Sequence, residues 1–405
     1  MSAVPGSLFR KILFWAHLSC GIAAGLIILL MSATGVLLTY ERQMLDAAAR
    51  SNNVEVTVGT PRLSADALAA KAREHGAPGA RLNLVFDADP AAPVAVSAGR
   101  DTVALLHPYT GAAVADASKD NRAFFQTVTR LHRYIGGSSN STRANLIDIA
   151  NLLFLFIIAS GIYLWLPAVW RWRTLSGLML FKAKYINGKV RDFNWHHVFS
   201  FWALIPLFLI ALSGVVMSYP WANKLVFAAY GETPPQRGGP PGAGAAGAGP
   251  ANAGGPRERG GEAAMPAAVA TPLAGLQLLL DTAIAQEPSW RRITLPAQLR
   301  GDHVDVQVEL KSSERRAPRR TLELSTADGS VIAAPPVQAA AAQSPAQRAR
   351  SWFRFVHTGE QYGVIGQTIA GLASLAACFL VYTGLALAWR RLIVPLFRRG
   401  AARSA

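Results

Sequence analysis

Charge is what this sequence is short of. Only 16% of its 405 residues are Asp, Glu, Lys or Arg, and 51% are hydrophobic. Soluble globular chains carry about 25% charged residues, so the composition suits a bilayer rather than water. The shortage is localised: residues 12–40, 149–170, 193–223 and 361–389 contain no Asp, Glu, Lys or Arg. Each stretch exceeds the ~20 residues that cross a hydrocarbon core as a helix. Cysteine is scarce too. Cys20 and Cys378 both lie in these stretches, which rules out a disulfide framework for the rest and leaves buried apolar thiols. Also missing is a Gly-rich phosphate loop between a strand and a helix, so nothing supports a built-in NAD(P)H or flavin domain.

Four spans are therefore expected. The first is too long in its apolar part for a signal peptide, and Thr39-Tyr40-Glu41-Arg42 is a poor cleavage site, so it reads as a retained helix. The flanks at 1–11, 171–192 and 390–405 carry thirteen basic residues against one acid, Asp192. The positive-inside rule puts both termini and the short loop in the cytoplasm, as expected of an inner-membrane protein. The net charge of +16 lies mostly at these flanks, which points to bilayer anchoring and away from nucleic acid.

The expected order along the chain is an N-terminus and first span (1–40), an outer unit (41–130), a histidine segment and second span (131–170), and a basic loop (171–192). The third span (193–223), a second outer unit (224–350), another histidine segment with the fourth span (351–389) and a basic tail (390–405) follow. The fold class is an α-helical membrane protein of four spans in two parallel repeats, with two α+β outer units. In the first unit 63–75 reads as helix, 80–86 and 94–98 as strands, and 103–114 as a hairpin arm turning at Pro108-Tyr109-Thr110-Gly111. In the second, 274–285 reads as helix and 293–295, 304–310 and 321–324 as strands. Between them 232–272 is Gly/Pro/Ala-rich, a composition that suits a flexible loop.

The histidines are the chemistry. His17 and His196 open the first and third spans, and each precedes a glycine by 18 residues (Gly35, Gly214). His132 and His357 stand just ahead of the second and fourth spans. Imidazole at a span is rare and signals ligation, proton relay or an interhelical hydrogen bond. A lone one is more simply an interfacial anchor. Four, matched between repeats and paired by face, suggest two bis-histidine haems, with both axial positions filled as an electron carrier needs. Of the adjacent His196 and His197 only one can face the bundle; the glycine alignment selects His196 and leaves His197 as fallback. Arg130, Arg133 and Arg354 beside the second pair are candidates for propionate contacts, with lipid phosphates as the competing partner. The spans share a mark, Thr34-Gly35, Ser160-Gly161, Ser213-Gly214 and Thr383-Gly384, small residues that either let helices approach or make room for a flat cofactor. His75, His107 and His303 lack such matching and read as surface or turn histidines.

At Trp15-Ala16-His17, Leu131-His132-Arg133, Arg191-Asp192-Phe193-Asn194-Trp195-His196-His197 and His357-Thr358-Gly359-Glu360, the chain resembles the PepSY-associated transmembrane family. That family includes inner-membrane ferric-siderophore reductases. Its outer modules resemble the segment around His107-Pro108-Tyr109-Thr110-Gly111. The resemblance implies haem b, two per chain, on His17, His132, His196 and His357. It also implies electron transfer from the cytoplasmic side to ferric siderophores in the periplasm, with an external cytoplasmic or quinol donor. The rival from another class is a non-enzymatic PepSY-type binding or regulatory protein. A transporter ranks last, since the spans lack midplane charge.

Overall fold

The computed structural model describes residues 5–56, 59–77, 80–99, 101–138, 141–167, 170–235, 275–311, 319–334 and 343–401. They fall into two compact units. One comprises residues 1–51, 117–231 and 343–405; the other comprises 52–116 and 232–342. Most of the expected Gly/Pro loop, 236–272, lies outside the described residues.

The helical unit contains α1 (Pro5–Leu38), α2 (Glu41–Arg50), α4 (Lys119–Tyr134), α5 (Thr142–Trp165), α6 (Trp172–Met179), α7 (Gly188–Ser218), α8 (Pro220–Ala228), α10 (Pro345–His357), α11 (Gly363–Leu392) and α12 (Val394–Ala401). Four of its helices, within Leu8–Arg50, Thr142–Trp165, Gly188–Ser218 and Glu360–Phe397, are long and apolar enough to cross a membrane. Their outward faces carry Leu26, Ile205, Ile365 and Leu372, all more than half exposed. In water such a surface would drive aggregation; among lipid tails it is at no disadvantage. α1 and α7 each pack against both α5 and α11, and small residues such as Ala24, Ala150, Ala203, Ala211, Ala373 and Ala377 fill the contacts. Polar caps fix where the spans begin. Ser141 accepts from the Ala144 N–H at the start of α5, and Asn187 from the Val190 N–H at the start of α7. Pro206 sits inside α7, where it removes one backbone hydrogen bond.

The other unit holds α3 (Ala65–His75), β1 (Leu82–Asp87), β2 (Val94–Ala98), β3 (Asp101–Leu106), β4 (Ala113–Val114), α9 (Leu276–Gln286), β5 (Trp290–Pro296), β6 (His303–Leu310), β7 (Arg319–Ser325) and β8 (Val331–Ala333). Alternation of apolar and polar residues makes the strands. In β6, Val304, Val306, Val308 and Leu310 turn inward, while His303, Asp305 and Gln307 turn out. The two α+β segments anticipated as a pair of units join into one. β1 pairs antiparallel with β5, Leu84 opposite Leu295 and Phe86 opposite Ile293. The result is a single eight-stranded sheet in the order β4-β3-β2-β1-β5-β6-β7-β8. One core serves both halves, with Leu68 and Ala72 of α3 beside Leu279 and Ala283 of α9. The helices also cap each other. Asp66 accepts from the Leu276 and Gln277 N–H groups at 2.8 and 3.0 Å, and Gln277 Oε1 accepts from the Ala65 N–H at 2.7 Å. Two spans, α5 and α7, separate the halves in sequence, so both emerge on the same side of the bilayer and are free to meet.

The hairpin ends match as well. His107 N–H donates to the Ala112 carbonyl and Gly111 N–H to His107; Ser325 N–H donates to Ser330 and Gly329 N–H to Ser325. Gly111 (φ +70°) and Gly329 (φ +71°) take the left-handed position that each turn needs.

Candidate functional site

The four candidate histidines share one local geometry. His17 Nδ1 on α1 lies 2.9 Å from Ser160 Oγ on α5, and His196 Nδ1 on α7 lies 3.0 Å from Thr383 Oγ1 on α11. His132 Nδ1 on α4 lies 2.9 Å from Thr34 Oγ1 on α1, and His357 Nδ1 on α10 lies 3.1 Å from Ser213 Oγ on α7. His357 Nδ1 also lies 3.0 Å from the backbone carbonyl of Ile210, three residues before its hydroxyl partner. The α1–α5 bond thus has its counterpart in α7–α11, and α4–α1 in α10–α7.

The small-residue marks therefore do more than the sequence suggested. Their first members, all hydroxyl residues, hold imidazoles. The glycines that follow lie against the rings at three of the four sites. A Cβ on Gly161 would sit 3.4 Å from His17 Cε1, one on Gly384 3.4 Å from His196 Cε1, and one on Gly35 3.7 Å from His132 Cε1. Gly214 instead adjoins Asn151, whose side-chain amide donates to the Ala211 carbonyl at 3.2 Å. The signal was in the sequence: closeness alone would admit alanine, yet all four positions carry a hydroxyl.

The histidines form two pairs at opposite ends of the bundle, since His17 and Thr34 are separated by about 25 Å of helix at 1.5 Å per residue. The rings of His132 and His357, the flank pair, have centroids 6.3 Å apart. His17 and His196, the span pair, lie on α1 and α7. Burial first, and then the neighbouring His357, push the His132 pKa down to about 4; burial also lowers that of His357. Both rings are thereby neutral near pH 7, the form that binds metals.

His197 is not part of these sets. Its Nδ1 faces the Phe193 carbonyl of its own helix at 2.9 Å, and it lines a cleft of about 560 Å³ with Thr174, Lys182, Lys189 and Phe193. Arg130, Arg133 and Arg354 are exposed on the helices that carry the flank pair. Arg130 donates to Thr127 Oγ1 at 3.3 Å, and Arg133 lies over the Tyr134 ring. The turn histidine His107 accepts from the Tyr109 N–H, and His303 pairs with Asp302. Arg319 pairs with Glu309, and Arg320 with Glu287.

The residues preceding His196 explain themselves. Asp192 is fully buried and holds Arg191 at 2.9 Å and Arg390 of α11. Asn194, also buried, uses both ends of its amide. It donates to the Gly177 and Leu180 carbonyls and accepts from the Lys182 N–H and the Tyr185 hydroxyl. The α6–α7 loop and the end of α11 are thus locked around the first turns of α7, which aims His196 at Thr383.

Comparison with known proteins agrees with this architecture. The family described as the PepSY-associated TM region matches residues 14–391. The chain belongs to the PepSY-associated transmembrane family. It is a multi-pass membrane protein of that family, and no curated protein matches it. The match takes in all four histidines and the four hydroxyl–glycine marks.

Proposed function

We propose that this member of the PepSY-associated transmembrane family carries electrons across an inner membrane through two haem b groups and reduces ferric siderophores in the periplasm. His17 and His196 would hold the inner haem, His132 and His357 the outer one. The observation that carries the proposal is the flank pair. Two imidazoles from different helices meet there, and together they would supply both nitrogen donors to one haem iron. The centroids of His132 and His357 are 6.3 Å apart, and both rings are tied through Nδ1. Arg130, Arg133 and Arg354 supply cations beside that pair for propionates. At the inner end the Trp165 indole N–H is buried without a partner among the described residues, a donor suited to a carboxylate.

When bound, the haems would supply one-electron redox chemistry. The chain's own part is to orient the imidazoles and to keep the path dry within apolar spans. Fe(II) fits hard oxygen donors less well than Fe(III), so reduction loosens the chelate. The basic flanks orient both termini to the cytoplasm, and the electron donor, a quinol or a cytoplasmic reductant, lies outside the chain. The matched His–hydroxyl bonds and hairpin turns favour descent from a duplicated half.

The test is the absorption spectrum of the protein purified in mild detergent, with haem counted per chain. Two low-spin b-type haems are expected, falling to one in His196→Ala or His357→Ala. Ferric chelate reduction by vesicles energised from the inner side should fall at least tenfold in either variant. A protein that takes no haem when supplied with it overturns the proposal and favours a binding protein.

A further inference from the structure

We infer that Thr34, Ser160, Ser213 and Thr383 are positioning residues that hold their histidines in the Nδ1–H tautomer, leaving Nε2 as the only ring nitrogen with a free lone pair. A hydroxyl has one proton to give. Here each has an acceptor for it in its own helix: the Leu30 or Met31 carbonyl for Thr34 (2.6 and 3.0 Å), Ile157 for Ser160 (3.1 Å), Ile210 for Ser213 (2.8 Å), and Phe379 or Leu380 for Thr383 (2.7 and 3.2 Å). The oxygen is then an acceptor toward the ring. At one site a carbonyl, that of Ile210, shares the ring as well, and a carbonyl can only accept. At His357 that carbonyl lies 3.0 Å from Nδ1 itself. A proton on Nδ1 satisfies the hydroxyl oxygen at every site and both acceptors at His357; a proton on Nε2 would leave those oxygens facing a lone pair.

This inference rests on the proposed haem ligation for its purpose but not for its geometry. A partner on the far ring nitrogen fixes ring orientation and raises ligand basicity, and losing such a partner typically costs 10–100-fold in metal affinity. The hydroxyls would thus set how tightly each haem is held and how reducing it is.

Two measurements separate this inference from the haem assignment. The first is nitrogen NMR of the full chain with ¹⁵N-labelled histidine, produced in a haem-deficient host. His17, His132, His196 and His357 should show a protonated Nδ1 and a bare Nε2; Nε2–H at these rings overturns the inference whether or not haem binds. The second compares Thr34→Val with Thr34→Ser in the haem-loaded protein. The isosteric valine should weaken retention of one haem against an excess of apo-globin by about 10–100-fold and raise its midpoint potential. Serine should behave as the parent does. Equal retention and potential in the valine variant overturn the positioning role. If the protein never takes haem, the NMR result still decides the tautomer, and only the electron-transfer proposal falls.

Discussion

The two histidine pairs use the same bonds on different supports. His17 and His196 lie well inside long spans, with more than a turn of helix on either side. His132 and His357 ride in the last turns of the shorter helices α4 and α10. Each of these helices ends in left-handed backbone. α4 closes through Ile135 (φ +49°) and Gly136 (φ +74°), and α10 runs into Gly359 (φ +75°). The span pair is therefore placed by helix packing and by the Asp192 lock. The flank pair is placed by chain reversals, and it has the narrower tolerance for sequence change.

Gly359→Val should break the contrast most severely. A side chain at that φ costs about 1–3 kcal/mol. Its Cβ would also fall 2.5 Å from the Gly366 carbonyl oxygen, an overlap worth about another 1–3 kcal/mol in forced backbone shift. Loss of the outer haem with retention of the inner one is expected in spectra of the purified variant. Two haems with parental stability would mean that the reversal does not position His357.

The complementary lesion is Asp192→Ala. Removing one partner from a buried ion pair costs about 3–5 kcal/mol. The low end applies here because Arg191 and Arg390 are each about a third exposed, at 37% and 33% of their side chains, and can rehydrate. Thermal unfolding in detergent should shift down, and the inner haem should be the one lost.

Acid should sharpen the contrast more gently. The folded pKa of His132 is lowered to about 4, against ~6.5 in an unfolded chain. The stability tied to its neutral ring is complete above about pH 6.5 and drains as pH falls toward 4, on the order of 1–3 kcal/mol. In haem-free protein, hydrogen exchange should quicken in α4 before α7 across this window. Simultaneous loosening of both would contradict a weaker flank pair.

Much of this was legible before the structure. The four spans declare themselves by length and lack of charge, and β6 by its alternation. The four histidines stand out because imidazole is rare at a span. Three features were not legible. The β1–β5 pairing joins residues far apart in sequence, and no local pattern announces it. The hydroxyl partners lie on other helices from their rings, so spacing along one segment could not match Ser160 to His17. The Asp192–Arg390 lock unites two basic flanks whose charges read simply as membrane anchors.

The β1–β5 seam has a consequence for biogenesis. Leu84 meets Leu295 only after two further spans and a second extramembrane segment have been made. Until then β1 displays an open edge of unpaired N–H and C=O groups, a template for mispairing with other chains. Because non-local pairing must bear the loop-closure entropy first, sheet completion should be the slow step of folding. A half-length product ending before β5 would keep that edge permanently, so truncation should yield an aggregating fragment rather than a working half.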